Sequence, residues 1–224
     1  MKRFRDRRAA GVQLARLLAG HRFVRPVVLG IPRGGVLVSI EVARALGADH
    51  GVVVARKLGA PGQSELAIGA VTADGSAFVD RALATLTGAD EHYLAAEQAR
   101  QIAEARRRED YLDGRRRPSL RGRDVIVVDD GVATGATAIA ALRSVRAQGA
   151  ARVVFTVPVG PSHTLAALRE EADEVICLWE EPEFFAVGQF YQEFESVEDG
   201  EVSAILESAA GSARRAELRS SGDG

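Results

Sequence analysis

The chain has 224 residues, 46% of them apolar, with a formal net charge of −2. That length suits one sizeable domain with its own core, and the charge balance singles out no nucleic acid or membrane surface as partner. A single cysteine, Cys177, excludes an internal disulfide and suits a reducing compartment.

The start, MKRFRDRR, is basic, but Gln13 and Arg16 interrupt the apolar stretch after it, so a signal peptide is not expected. No apolar run reaches the roughly 18 residues of a membrane span. A cytoplasmic protein is the expectation. Residues 6–19 place Val12, Leu14, Leu17 and Leu18 on one helical face, with Asp6 as N-cap. PVVLGI (26–31) reads as a buried strand, PRGG as a loop, and VLVSIEVARAL as a helix closed by Gly47. GVVVARK (51–57) is a second apolar run ending in charge. Strand, glycine loop, helix, strand is a βαβ unit, which implies a parallel sheet covered by helices.

Residues 58–88 scatter Gly, Pro, Ser and Thr among short apolar pieces, which predicts loops and a hairpin. Residues 90–112 predict one long charged helix, and DGRRRPSLRGR a basic linker. Order returns with DVIVVDDGVATGATAIAALRSVRAQGA: a strand, a loop, then a helix with Ile139, Leu142 and Val145 on one face and Gly149 as its stop. RVVFTVPVG, SHTLAALREEA and EVICLW add a strand, a helix and a strand. The domain is expected over 1–207, with a cap inserted at about 58–120 and a disordered tail over 208–224. The fold class is α/β: a Rossmann-like parallel sheet of about five strands, helices on both faces, and a small hood. Ligands of such sheets bind beyond the carboxyl ends of the strands, where every unusual loop of this chain falls.

The most informative stretch is VIVVDDGVATGAT, 125–137. Small residues leading into a helix start offer free N–H groups and a favourable dipole, an anion cradle. Thr134 and Thr137 add hydroxyls. Asp129 and Asp130 would repel a phosphate; they suit a neighbour that donates hydrogen bonds, such as vicinal ribose hydroxyls, or a bound Mg²⁺. Together they read as recognition of a ribose 5-phosphate. Neither a Walker P-loop nor a dinucleotide G-x-G-x-x-G is present.

This thirteen-residue stretch resembles the signature of the type I phosphoribosyltransferases, which use 5-phosphoribosyl 1-pyrophosphate (PRPP). The resemblance covers about residues 3–206, and RDRRAAG, GIPRGGV and RKLGAPG look like an uncharacterised bacterial branch. It implies a Mg²⁺-dependent glycosyltransferase (pentosyltransferase) of nucleotide and nucleoside metabolism. Asp129 and Asp130 would hold the ribose hydroxyls and share in binding a Mg²⁺ carried mainly by PRPP. Ala133, Thr134, Gly135, Ala136 and Thr137 would cradle the 5′-phosphate. Pro32, Arg33, Gly34 and Gly35 match the pyrophosphate loop, commonly with a non-proline cis peptide. Arg56 and Lys57 stand where the family often has basic residues, so Arg33, Arg56 and Lys57 are the catalytic candidates. Lys57 is one of two lysines beside 27 arginines.

Members acting on 6-oxopurines often carry an aspartate where this chain has Ala133, which argues against hypoxanthine or guanine and leaves adenine-, xanthine-, uracil-type and non-nucleobase acceptors open. Glu65, Trp179, Phe184, Phe185 and Tyr191 are acceptor-side candidates, although C-terminal packing is the commoner use of such aromatics. The partners implied are PRPP and a small-molecule acceptor, with a homodimer common in the family. Residues 100–123 carry nine basic and four acidic residues, but sparse aromatics argue for a charged helix face rather than a nucleic-acid surface. The alternative to an enzyme is a non-catalytic PRPP- or nucleotide-sensing regulator on the same fold.

Overall fold

The computed structural model describes residues 3–112 and 117–208. Five strands form a parallel sheet: β1 (Val27–Gly30), β2 (Asp49–Val52), β6 (Asp124–Val128), β7 (Arg152–Gly160) and β8 (Glu174–Glu180). Their spatial order is β2-β1-β6-β7-β8. The strands are continuous apolar runs because both faces are covered. Val27, Leu29, Val125, Val127, Val153 and Phe155 point to one face, against α5 (Ala136–Ala147) and α6 (Ser162–Leu168). Val28, Ile126, Val128 and Val154 point to the other, against α1 (Arg7–Leu18) and α2 (Gly34–Leu46). The period of two along each strand thus sorts the core into two layers.

Asp6 caps α1 by accepting from Ala9 N at 2.7 Å, as expected. The buried stripe of α1 is Ala10, Leu14, Ala15 and Leu18, whereas Leu17 is exposed. Gly47 and Gly149 take left-handed conformations (φ 58° and 85°) at the ends of α2 and α5.

The run GVVVARK does not form one strand. β2 ends at Val52, and β3 (Ala55–Ala60) starts a separate antiparallel sheet with β4 (Gln63–Thr72) and β5 (Ala77–Val79). Three valines in a row are compatible with either sheet, so periodicity could not locate the break. Arg56 and Lys57 therefore belong to the hood. Within 58–88 the expected hairpin is β3–β4, with more strand and less loop than expected; α3 (Arg81–Leu86) follows, and then the expected long helix, α4 (Glu91–Leu112). Leu58, Ile68, Val71, Ala84 and Leu94 form the hood's own core. Residues 199–208 are helical; the tail expected over 208–224 lies, beyond 208, outside the described residues. Among the described residues no helix is long and apolar enough to cross a membrane.

His50, on the edge strand β2, sits 2.8 Å from Ser39 Oγ through Nε2. That hydroxyl already donates to Val36 O, so Nε2 is the donor, and the buried Nδ1 has no partner. Burial, with help from Arg44, pushes the imidazole pKa down to about 4. The unfolded chain takes up this proton first, so stability should fall as pH drops from 6.5 toward 4. Thermal denaturation across that window should show a shallower slope for His50→Gln; an unchanged slope would place the acid sensitivity elsewhere.

Candidate active site

The strand order reverses direction between β1 and β6: the chain steps outward to β2 on one side and to β7 and β8 on the other. Loops leaving the carboxyl ends of β1 and β6 diverge there and open a crevice.

The β1 loop runs through Ile31, Pro32 and Arg33 into Gly34, the first residue of α2. The Pro32–Arg33 peptide bond is cis. The glycines have a packing reason besides the approach to an anion. A Cβ on Gly34 would lie 1.9 Å from Asp130 Oδ2, and one on Gly35 2.7 Å from Val128 O. The glycines of the PRGG loop thus lie directly against Val128, Asp129 and Asp130.

The β6 loop begins with Asp129 and Asp130 and reaches Gly135, the N-cap of α5, at φ 81°. Only a residue tolerant of that conformation fits. Thr164 Oγ1 donates to Ala133 O at 2.6 Å and holds the loop. No side chain caps α5, and its first-turn N–H groups have no intrahelical acceptor. Ala133 and Thr134 are exposed, Thr137 half-buried, and Gly135 and Ala136 buried. This is a helix start open to an anion.

Asp130 is held from a direction the sequence did not advertise. Arg7 Nε donates to its Oδ2 at 2.7 Å, and both side chains are largely buried (10% and 15% exposed). The same guanidinium donates through NH1 to Glu195 O at 2.8 Å and lies 3.8 Å over the Phe194 ring. Tyr191 OH donates to Asp130 O at 2.6 Å, and burial raises its pKa. Asp129 Oδ1 accepts from Asp130 N at 2.8 Å. Burial first, and then the charge of Asp130, hold the Asp129 carboxyl well above the usual carboxylate range.

The hood supplies the opposite wall. A cavity of about 550 Å³ is lined by Arg33, Arg56, Lys57, Glu65, Asp129, Asp130 and Thr137. Glu97 and Arg100 of α4 also line it; Arg100 donates to buried Glu97 at 2.5 Å, and Gly59 N and Gln101 Nε2 donate to the same carboxylate. Pro32, Arg33, Gly34, Arg56, Lys57, Glu65, Asp129, Asp130 and Thr137 are thus brought together, whereas Gly35, Ala133, Thr134, Gly135 and Ala136 are not among the lining residues. The aromatic candidates lie outside the residues lining this cavity. Trp179 stacks on Phe4 (3.8 Å, 8°), Phe184 packs against Phe190 at 5.2 Å, and Phe185 is exposed. Burial pushes the Cys177 thiol up to about 12, so it is no thiolate nucleophile.

Among the described residues no cluster of three or more His, Cys, Asp or Glu side chains could hold a metal ion. The adjacent carboxylates of Asp129 and Asp130 are hard oxygen donors of the kind a divalent cation takes, two in number and so in need of further ligands.

Comparison with known proteins agrees with this architecture. A family model described as the phosphoribosyl transferase domain matches residues 3–193. Two curated Mycobacterium tuberculosis proteins, from strains CDC 1551 and H37Rv and provisionally named phosphoribosyl transferases, are each 47% identical over 210 residues, 93% of this chain. The chain spans about half their length, 47%. A crystal structure of a Thermus thermophilus protein superposes with a TM-score of 0.77 at 48% identity, covering 91% of this chain and 97% of that one. With its acid pair, open helix start and cis-peptide loop converging at the switch point of such a sheet, this chain belongs to the phosphoribosyl transferase family, of type I fold.

Proposed function

We propose that the chain transfers the ribose 5-phosphate group of PRPP to a nitrogenous base or similar nitrogen acceptor, releasing pyrophosphate. The observation that carries this reading is the single cavity shared by Asp129, Asp130, Thr137, Arg33, Arg56 and Lys57. Its acids suit hydroxyls and its cations suit a pyrophosphate, at opposite ends of one substrate.

In this reading the α5 start and Thr137 anchor the 5′-phosphate, while Asp129 and Asp130 accept from the ribose hydroxyls. Arg33, Arg56 and Lys57 neutralise charge that builds on the leaving pyrophosphate as the bond to C1 breaks. Fixing donor and acceptor in line is worth effective molarities on the order of 10⁵ M or more. Mg²⁺ arriving with PRPP would be held by its phosphates and the acid pair, and would supply charge neutralisation there. Glu65, at the cavity wall, is the candidate acceptor contact; Trp179 and Phe184 pack against Phe4 and Phe190, and Phe185 is exposed.

A PRPP-sensing regulator, the alternative, would offer the basic linker after α4 and the charged face before it as its contact surface. Much of that charge is engaged internally: Arg107 with Glu104, Arg108 with Asp199, Arg117 with Glu109 and Asp110, and Arg123 with Asp49. This favours the enzyme.

The test is PRPP titration with Mg²⁺, followed by pyrophosphate release across a panel of bases and nitrogen nucleophiles. Asp129→Asn with Asp130→Asn should weaken PRPP binding by about a hundredfold, the loss of two charge-assisted contacts. Asp129→Asn alone should at the same time melt higher at neutral pH. The folded Asp129 value is raised, so the ionised carboxylate opposes folding above that value, and the opposition fades as pH falls toward 3.8. Binding lost in Asp129→Asn alone, a protein that melts no lower, separates function from misfolding; the double variant also loses the Arg7 ion pair and is read for binding only. Unchanged PRPP binding in the double variant would remove the basis of the proposal.

A further inference from the structure

A second cavity, of about 240 Å³, shares a wall with the first. Arg33 and Arg56 line both. The rest of its wall is Glu104, Arg107, Arg108 and Tyr111 of α4, with Asp199. Asp129, Asp130 and Thr137 are not among its lining residues. The chamber is thus bordered by Arg33 and Arg56 but not by the acid pair.

Its charge is one-sided. Four arginines face two carboxylates, an excess of two positive charges. Glu104 is engaged by Arg107 at 2.8 Å, and Asp199 by Arg108. Arg33 has no partner of its own among the described residues, Arg56 spends only its Nε, on Gln101 at 3.2 Å, and Arg108 Nε is buried without a hydrogen-bond partner. The guanidinium groups therefore keep unused donors. A concave wall of like charge focuses its field into the space it encloses. Planar guanidinium forks match the oxygens of a tetrahedral oxyanion. The volume lies below the roughly 300 Å³ at which small-molecule pockets begin, so it suits one phosphoryl group rather than a nucleoside.

We propose that this chamber is a second oxyanion site, taking inorganic phosphate or the phosphoryl end of a larger ester. Arg33 and Arg56 are common to both chambers, so an anion here draws on the same two cations that face the leaving pyrophosphate. That coupling rests on the transferase reading; the binding of the anion does not.

The full chain is titrated calorimetrically with inorganic phosphate, alone and after saturation with PRPP and Mg²⁺. The PRPP-saturated protein should still bind phosphate, but more weakly, because Arg33 and Arg56 serve both chambers. Arg107→Ala should weaken that binding about tenfold, the loss of one charge-assisted contact. Glu104→Gln, which frees Arg107, should tighten it about threefold. Opposite signs from two exposed neighbours cannot come from misfolding, and neither change should alter PRPP affinity more than about twofold. A nucleoside monophosphate that binds as well as phosphate identifies an ester as the occupant; exclusion of the ester identifies the free anion. Complete competition by PRPP, or phosphate binding indifferent to both substitutions, overturns the site. Should PRPP itself fail to bind, the transferase reading falls. The chamber is then judged on phosphate alone: opposite shifts in the two variants uphold it, and indifference ends it.

Discussion

Gly34→Ala is expected to lower the melting temperature by about 8 °C, a destabilisation of about 3 kcal/mol in a domain of this size. Taken locally, the substitution should help. Gly34 is the first residue of α2, its φ is not in the left-handed region, and alanine in a helix is favoured over glycine by roughly 0.5–1 kcal/mol. Space reverses the sign. The new Cβ would meet Asp130 Oδ2 at 1.9 Å, its Cγ at 2.5 Å and Arg7 Nε at 2.8 Å. A free carboxylate could swing aside at little cost, but this one is clamped by Arg7 and by its own backbone contact to Tyr191. Relief requires breaking a largely buried ion pair, which costs about 3–5 kcal/mol and outweighs the helix gain. PRPP binding should be lost with it, because the displaced side chain is one of the two proposed ribose ligands. A variant that melts with the parent protein would mean that the two loops are less tightly apposed than the structure shows.

Arg7→Ala should be of similar severity, about 3–5 kcal/mol, since it leaves Asp130 and the Glu195 carbonyl without their donor and removes the ring contact with Phe194. Arg7→Lys keeps the charge but not the fork, so it should fall between the two. The informative partner is Asp130→Asn. If the damage in Arg7→Ala is an uncompensated carboxylate, adding Asp130→Asn should recover part of the stability, giving a coupling energy on the order of 1–3 kcal/mol in a double-mutant cycle. Strict additivity would assign the loss to packing against Phe194 instead.

These two residues mark where sequence reading stopped. The alternation of apolar runs with helical periods was enough to expect the sheet, its two covered faces and the crevice, because each is a local pattern repeated along the chain. The acid pair and the small-residue loop announced themselves for the same reason: the chemistry lies in consecutive residues. Arg7 is 123 positions from Asp130, and one arginine in an arginine-rich start carries no local mark of its partner. The hood was expected, but not how much of it is strand. Its strands are built on Gly and Ala (LGA, AIGAV) rather than on long alternating β-branched runs, since close packing against α4 and α5 leaves little room for large side chains. Propensity alone reads such segments as loops. Trp179 and Phe184 follow the commoner use of such aromatics: they pack beside Phe4 and Phe190, which join the two ends of the domain.

That junction sets when the protein becomes competent. Phe4 N donates to Phe190 O, Gln192 N donates to Phe4 O, and Glu193 N donates to Arg5 O, so the strand-like entry of the chain is zipped to a segment almost the whole sequence away. Arg7 reaches Asp130 from the base of this zipper and is steadied by Glu195. During synthesis the central strands can pair while later residues are still being added, yet the acid pair has no settled counter-charge until residue 195 has emerged and folded back. Contacts of such long sequence separation close late. A nascent chain should therefore carry a formed sheet well before its acid pair is set in place.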